Sequence, residues 1–170
     1  MSDEGRVPCE RCGRETLVAQ LCEYRGSAIC AACLLELDDS TIFMRPVGVV
    51  HNDLVPGTST KSRRNVVSQL VLGERFLQAM TGISVGDRLL ILFALEPSGD
   101  PPLLQYPQGD RSRGLHGVFS LRSQNRPNPI GLTSVIVVAV DEESLLVRGL
   151  DAWDGTPLLD IKPHVPMYDD

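Results

Sequence analysis

Apolar positions beyond residue 43 fall in short runs, with little of the spacing that marks an amphipathic helix. Residues 44–51 carry the β-branched Val47, Val49 and Val50 and read as a strand. Residues 66–72 are rich in valine and leucine and stop at Gly73. Residues 88–95 form one continuous apolar run between Gly86-Asp87 and Pro97, the pattern of a strand buried on both faces. Further strands are expected at 117–122 and 132–140, with a hairpin through Asp141-Glu142-Glu143 into 144–150 and a last strand at 158–162. Between them, 74–80 fits one or two helical turns with Phe76, Leu77 and Met80 on one side, and 98–110 is a long turn-rich loop. The fold class is mainly β.

The first 42 residues differ in kind. All five cysteines lie before residue 34, and a short helical pattern follows Cys33 into polar residues. The junction falls near 39–44, which divides the chain into a small module, 1–42, and a larger domain, 43–170. Cys9-Glu10-Arg11-Cys12-Gly13 and Cys30-Ala31-Ala32-Cys33 are two C-x-x-C pairs at the separation of a zinc site. One tight turn places two thiolates on one ion, and Gly13 permits the positive φ such a turn often needs. A redox or disulfide pair is the alternative. Four sulfur ligands close the coordination, so the zinc is structural, in a zinc-ribbon or treble-clef-like module. Cys22, the fifth, reads as a small hydrophobe.

Composition narrows the classes. With 42% hydrophobic and 22% charged residues the chain has the makings of a packed core, and no stretch reaches the roughly 18 apolar residues of a membrane span. The acidic N-terminus lacks the apolar run of a secretion signal, which leads to the expectation of a cytoplasmic protein with reduced thiols. A net charge of −6 opposes indiscriminate nucleic-acid binding. Lys61-Ser62-Arg63-Arg64 is a local basic run, ordinarily a solvated loop, beside which folding can gather Arg111, Arg113, Arg122 and Arg126. Residues 1–42 hold four arginines, no lysine and eight acidic side chains, so this module favours a protein contact over nucleic acid.

The larger domain lacks the glycine-rich dinucleotide and phosphate loops and the G-x-S-x-G elbow. Two rigid polar segments stand out instead. The first runs Arg122-Ser123-Gln124-Asn125-Arg126-Pro127-Asn128-Pro129-Ile130-Gly131, where the prolines fix φ and forbid helix. A pre-formed loop with arginines and amides suits a small polar ligand. The second is Leu150-Asp151-Ala152-Trp153-Asp154-Gly155-Thr156-Pro157, a turn in which Asp154 can accept hydrogen bonds. Both can equally be ordinary turns. His51 faces either core or pocket, His116 reads as a surface or strand-end residue, and neither has metal-ligand spacing.

These segments resemble a known signature. Residues 118–131 and 151–164 look like the TsaA/TrmO pattern G-V-F-x-x-R-S-P-x-R-P-N-P-I-G followed by L-D-x-x-D-G-T-P-x-x-D-I-K-P-Y, and Val47-Gly48-Val49-Val50-His51 is similar to the family's opening I-G-x-I-H. The resemblance covers nearly all of 44–167. It implies a β-barrel-like domain that binds S-adenosylmethionine, as a homodimer, and methylates N6-threonylcarbamoyladenosine in tRNA. It further implies that Arg122, Ser123, Arg126, Pro127, Asn128, Pro129, Ile130 and Gly131 contact the cofactor. Asp154, Gly155, Thr156 and Pro157 would form the facing wall, supported by Asp160 and Lys162. Arg126 or Arg122 would clamp the methionine carboxylate, and Asp154 would orient the acceptor amine or hold the cofactor. Gln124 replaces a usual proline, and His164 replaces a usual tyrosine at the expected pocket edge. The zinc module lies outside the common pattern. A small-molecule or protein acceptor, and a non-catalytic S-adenosylmethionine sensor with a zinc-dependent partner, are the alternative functions.

Overall fold

The computed structural model describes residues 5–24, 26–35, 44–54, 63–96 and 99–169. Lys61 and Ser62 of the basic run, Ser98, and the polar end of the helical pattern with most of the junction lie outside them. The chain divides into two compact units, Met1–Phe43 and Met44–Asp170.

In the first unit β1 (Arg6–Pro8) pairs antiparallel with β2 (Glu15–Leu17), and β3 (Leu21–Tyr24) pairs with β4 (Ser27–Cys30). Helix α1 (Ala31–Leu35) follows β4 directly. The buried cluster here is Cys9, Ile29, Cys30 and Cys33, with Leu21 and Leu34 packed against it. Among the described residues this is a small core, of the kind that a metal or disulfide staple commonly reinforces.

The second unit is built on β5 (Gly48–His51), β6 (Val67–Leu72) and β7 (Arg88–Ala94), a small pair β8 (Leu104–Gln105) and β9 (His116–Gly117), then β10 (Ile130–Val140), β11 (Ser144–Arg148) and β12 (Pro157–Pro163). Six strands close into a barrel in the order β10-β11-β6-β5-β12-β7, and every neighbouring pair is antiparallel. Closure leaves no free edge among these strands. Inward positions fill the interior with Val50, Leu70, Ile91, Val135, Val137, Leu145, Val147 and Leu158. The 3-10 segment Glu74–Met80 brings Phe76, Leu77 and Met80 onto this core, as the sequence pattern indicates.

Three expectations need correction. In β7, Leu89, Ile91 and Phe93 are buried, while Leu90 and Leu92 are only half-buried on the barrel's outer face. An antiparallel barrel has one interior, so a wholly apolar strand need not be covered twice. The strand expected at 117–122 ends at Gly117. Ser120 Oγ donates to the Gly117 carbonyl at 2.7 Å and closes a 3-10 turn, leaving Val118 buried and Phe119 81% exposed. The loop 98–110 contains β8 and the turn Pro107–Gly109.

The polar motif also ends differently. Ile130 and Gly131 lie in β10, where they pair with Ala94 and Phe93 of β7. A Cβ on Gly131 would collide with the Phe93 ring, so this glycine is required for packing. Gly48 is held more strictly, because its Cβ would strike the Val71 carbonyl oxygen.

Candidate functional site

One rim of the barrel gathers the end of β5, the end of β7 and the starts of β10 and β12. There the loop 119–126 and the turn 151–157 face a cleft of about 680 Å3. That volume is in the range of small-molecule sites.

The turn is pinned from below. Gly155 takes φ +77°, its N–H donates to the Val50 carbonyl at 2.8 Å, and Thr156 N–H donates to the Trp153 carbonyl at 3.2 Å. Asp154 Oδ1 accepts the Asn52 N–H at 3.1 Å and lies 3.2 Å from His51 Nδ1. The Asn52 amide, then the His51 contact, hold the Asp154 carboxyl below its ordinary range. Asn52 ties the rim together: its Nδ2 donates to Ser68 Oγ and to the Ala152 carbonyl, both at 3.0 Å, and its Oδ1 accepts the Leu54 N–H.

Trp153 presents an aromatic wall. Arg63 lies 4.4 Å over its ring and donates from Nη1 to Asp151 Oδ1 at 2.8 Å. This arginine of the basic run thus lines the cleft together with Arg122 and Arg126. On the other side, Arg126 Nη1 donates to the Leu121 carbonyl at 3.3 Å, and Gln105 Nε2 donates to the Asn125 carbonyl at 2.5 Å. These bonds hold the loop in one shape.

Of the residues the sequence singled out, Arg122, Ser123, Arg126, Ile130, Gly131, Asp154, Gly155, Thr156 and Pro157 line the cleft. Pro127, Asn128 and Pro129 are not among its walls; the Pro129 carbonyl accepts the Leu95 N–H at 2.7 Å and starts the β7–β10 ladder. Asp160 and Lys162 also lie off it, paired with each other at 3.0 Å, and Asp160 borders a second hollow of about 370 Å3. His164 does not line the cleft, and its N–H donates to the Arg88 carbonyl. His116 is exposed at the end of the small β8–β9 pair. The cleft also takes Phe119, Leu121 and Trp153, apolar members of the two motifs that their polar neighbours overshadow, and its rim depends on Asn52, which carries no local signal.

In the first unit the sulfurs of Cys9, Cys12, Cys30 and Cys33 all lie within 4.8 Å of one another. Cys9 and Cys33 Sγ are 3.8 Å apart, and Cys12 and Cys30 Sγ are 3.9 Å apart. A tetrahedral ion with bonds of about 2.3 Å to sulfur sets its ligands about 3.8 Å apart, so the four can hold a metal. The Cys30 N–H donates to Cys9 Sγ at 3.2 Å, and such amides, Cys30's foremost, lower the Cys9 thiol to about 6. Cys33 is pushed up to about 12, first by its bond with Cys12. Cys22 lies in β3, outside the cluster and half-buried.

Residues 51–170 match the family of the tRNA-methyltransferase O N-terminal domain. A probable S-adenosyl-L-methionine-binding protein, VirR, of Rhizobium radiobacter is 39% identical over 136 residues, which cover 78% of this chain and 75% of that protein. A probable S-adenosyl-L-methionine-binding protein of Methanothermobacter thermautotrophicus is 34% identical, over 78% of this chain and 97% of the relative. The tRNA (adenine(37)-N6)-methyltransferase of Homo sapiens is 29% identical, over 82% of this chain and 34% of that protein. The crystal structure of TrmO from Pseudomonas aeruginosa superposes with a TM-score of 0.60 at 26% identity, covering 76% of this chain. The chain spans 58% of that structure's length.

Proposed function

The chain belongs to the family of the tRNA-methyltransferase O N-terminal domain, and from that membership we propose that it transfers a methyl group from S-adenosylmethionine to the N6 nitrogen of a tRNA adenosine. The observation that carries this reading is the convergence of Arg126 and Asp154, from two distant motifs, on one cleft with Phe119 and Trp153 in its walls.

S-adenosylmethionine supplies a methyl carbon on a sulfonium, open to in-line displacement. The protein's task is then positioning, worth as much as ~7–11 kcal/mol when the geometry is good. Arg126, with Arg122, receives the amino-acid carboxylate through charge-assisted bonds. The Asp154–Pro157 turn and the Ile130–Gly131 strand start line the rest of the cleft. Phe119, Leu121 and Trp153 supply apolar surface in its walls. A carboxyl held below its ordinary range is a poor proton acceptor and a good fixed hydrogen-bond acceptor, so Asp154 orients a donor group, hydroxyl or amine. Pro127, Asn128 and Pro129 keep the loop rigid, and Asp160 and Lys162, within β12, pair with each other outside the cleft.

In the same reading, N6-threonylcarbamoyladenosine is the acceptor, the working protein is a cytoplasmic homodimer, and Cys9, Cys12, Cys30 and Cys33 hold one structural zinc ion. The negative charge of residues 1–42 favours a protein partner for the zinc module. The deciding experiment incubates the zinc-loaded chain with methyl-labelled S-adenosylmethionine and bulk tRNA, followed by nucleoside digestion. Label in a modified adenosine supports the reading; label confined to a low-mass fraction overturns the acceptor.

A second reading has its own support. The Methanothermobacter relative, which this chain covers at 97% of its length, is a probable S-adenosyl-L-methionine-binding protein, whereas the human methyltransferase is covered at only 34%. In that reading the domain binds S-adenosylmethionine without turnover or serves a small acceptor. Tight binding with no labelled product from whole-cell extract would favour the first of these, and label in a low-mass product the second.

A further inference from the structure

Beside the cleft stands a surface whose chemistry differs from the rest of the chain. It consists of the β8–β9 pair, the turn Arg111–Arg113 between them and the turn Val118–Ser120. We propose that this surface is where the single-stranded RNA carrying the acceptor base rests. The proposal rests on the tRNA reading given above and adds to it the docking surface.

Sites for single-stranded nucleic acid combine arginines that track the phosphates with aromatic faces on which bases stack. Here Arg111 lies 5.9 Å over the ring of Tyr106, which is 37% exposed. Arg113 is exposed on the same turn, and Phe119 projects with 81% exposure. Phe119 also lines the cleft, with Arg122 three residues on, so the surface adjoins the candidate methyl-transfer site. The surface is held by backbone and loop bonds: Val118 N–H donates to the Leu103 carbonyl at 2.9 Å, and Gln105 bridges to Asn125.

Charge selects the occupant. Outside the cleft, residues 104–120 hold Arg111 and Arg113 against the single Asp110, in a chain whose net charge is −6. Asp110 is engaged within its own turn, accepting from Ser112 N–H at 2.9 Å and Ser112 Oγ at 2.7 Å. The exposed Leu103 and Leu115 would also suit a second copy of the chain. A twofold contact, however, would set this positively charged patch against its own copy. A polyanion gains from the same groups.

The test uses the full zinc-loaded chain and a fluorescent anticodon stem-loop RNA, read by anisotropy at two salt concentrations. S-adenosylmethionine affinity is measured in parallel. Arg111→Ser with Arg113→Ser is the charge variant, and Tyr106→Ala is the stacking variant. The charge variant should bind RNA about tenfold more weakly and lose about 1.4 from its log–log salt slope, about 0.7 for each phosphate contact. Its S-adenosylmethionine affinity should stay within about twofold, since neither arginine lines the cleft. Tyr106→Ala should weaken RNA binding with no change in salt slope. Unchanged RNA binding in both variants overturns the surface while leaving the tRNA reading intact. A wild-type chain that binds S-adenosylmethionine but no RNA overturns the reading itself. Conversion of a dimer to a monomer by these variants, seen in sedimentation, assigns the surface to a second copy and overturns the proposal.

Discussion

His51 and Asp154, 103 residues apart in the chain, meet at 3.2 Å between Nδ1 and Oδ1. The same oxygen accepts the Asn52 amide, so the end of β5 and the Asp154 turn are locked at one point on the rim. Both side chains are more than half exposed, and a pair so placed contributes little to stability. Its value is positional.

The pH dependence follows from Asp154. Its folded carboxyl titrates below the ordinary 3.8, so the unfolded chain takes up the proton more readily. The contribution is present in full above 3.8 and is lost as pH falls through the lower folded value. Asp154→Asn should melt below the wild type at neutral pH, and the gap in Tm should close in acid. A gap that widens in acid would contradict the assignment.

Trp153 is the chain's only tryptophan and lines the cleft, so its fluorescence reports occupancy directly. S-adenosylmethionine should change its emission with a saturable dose dependence. Arg63→Ala, which removes the guanidinium 4.4 Å from the ring, should alter the unliganded spectrum as well.

Arg126→Ala removes both the bond to the Leu121 carbonyl and a cation from the cleft. Hydrogen bonds to charged groups are worth about 1.5–3 kcal/mol, so calorimetry should show binding weaker by roughly tenfold to a hundredfold. Arg126→Lys should recover only part of this, because an ammonium cannot form the planar fork.

Gly131→Ala sets a methyl against the Phe93 ring and should cost about 1–3 kcal/mol of barrel stability through overpacking. The double change with Phe93→Leu should recover some of the loss in Tm. Equal destabilisation by the single and the double change would show that the ring is not the obstacle.

Chelation should unfold the first unit while the barrel's S-adenosylmethionine binding survives, since structural zinc contributes about 10–16 kcal/mol to modules of this kind. Metal released on denaturation should amount to one zinc ion per chain, and Cys9→Ser should release it at a lower chelator concentration.

Much of this molecule was written in local patterns. Short apolar runs between turn residues gave strands with ends within a few residues, because strand and turn preferences act over a handful of neighbours. The C-x-x-C pairs announced a four-thiol cluster, since each pair needs only one tight turn to meet an ion. The two proline- and glycine-bearing loops that carry Arg126 and Asp154 were legible as rigid segments, and the fold sets both residues in the walls of one cleft.

What only the tertiary structure decided is which groups share a space. Barrel closure sets the start of β10 beside the end of β7, which turned Ile130 and Gly131 from loop into strand and left Pro127 to Pro129 behind the cleft. Arg63 reached Asp151 and Trp153, and Asn52 bridged Ser68 to Ala152, through pairings whose partners lie far apart along the chain. The alternation of a strand says which residues share a face. Only the register and closure of the barrel say which faces meet, because those depend on hydrogen bonds between segments that carry no local signal of each other.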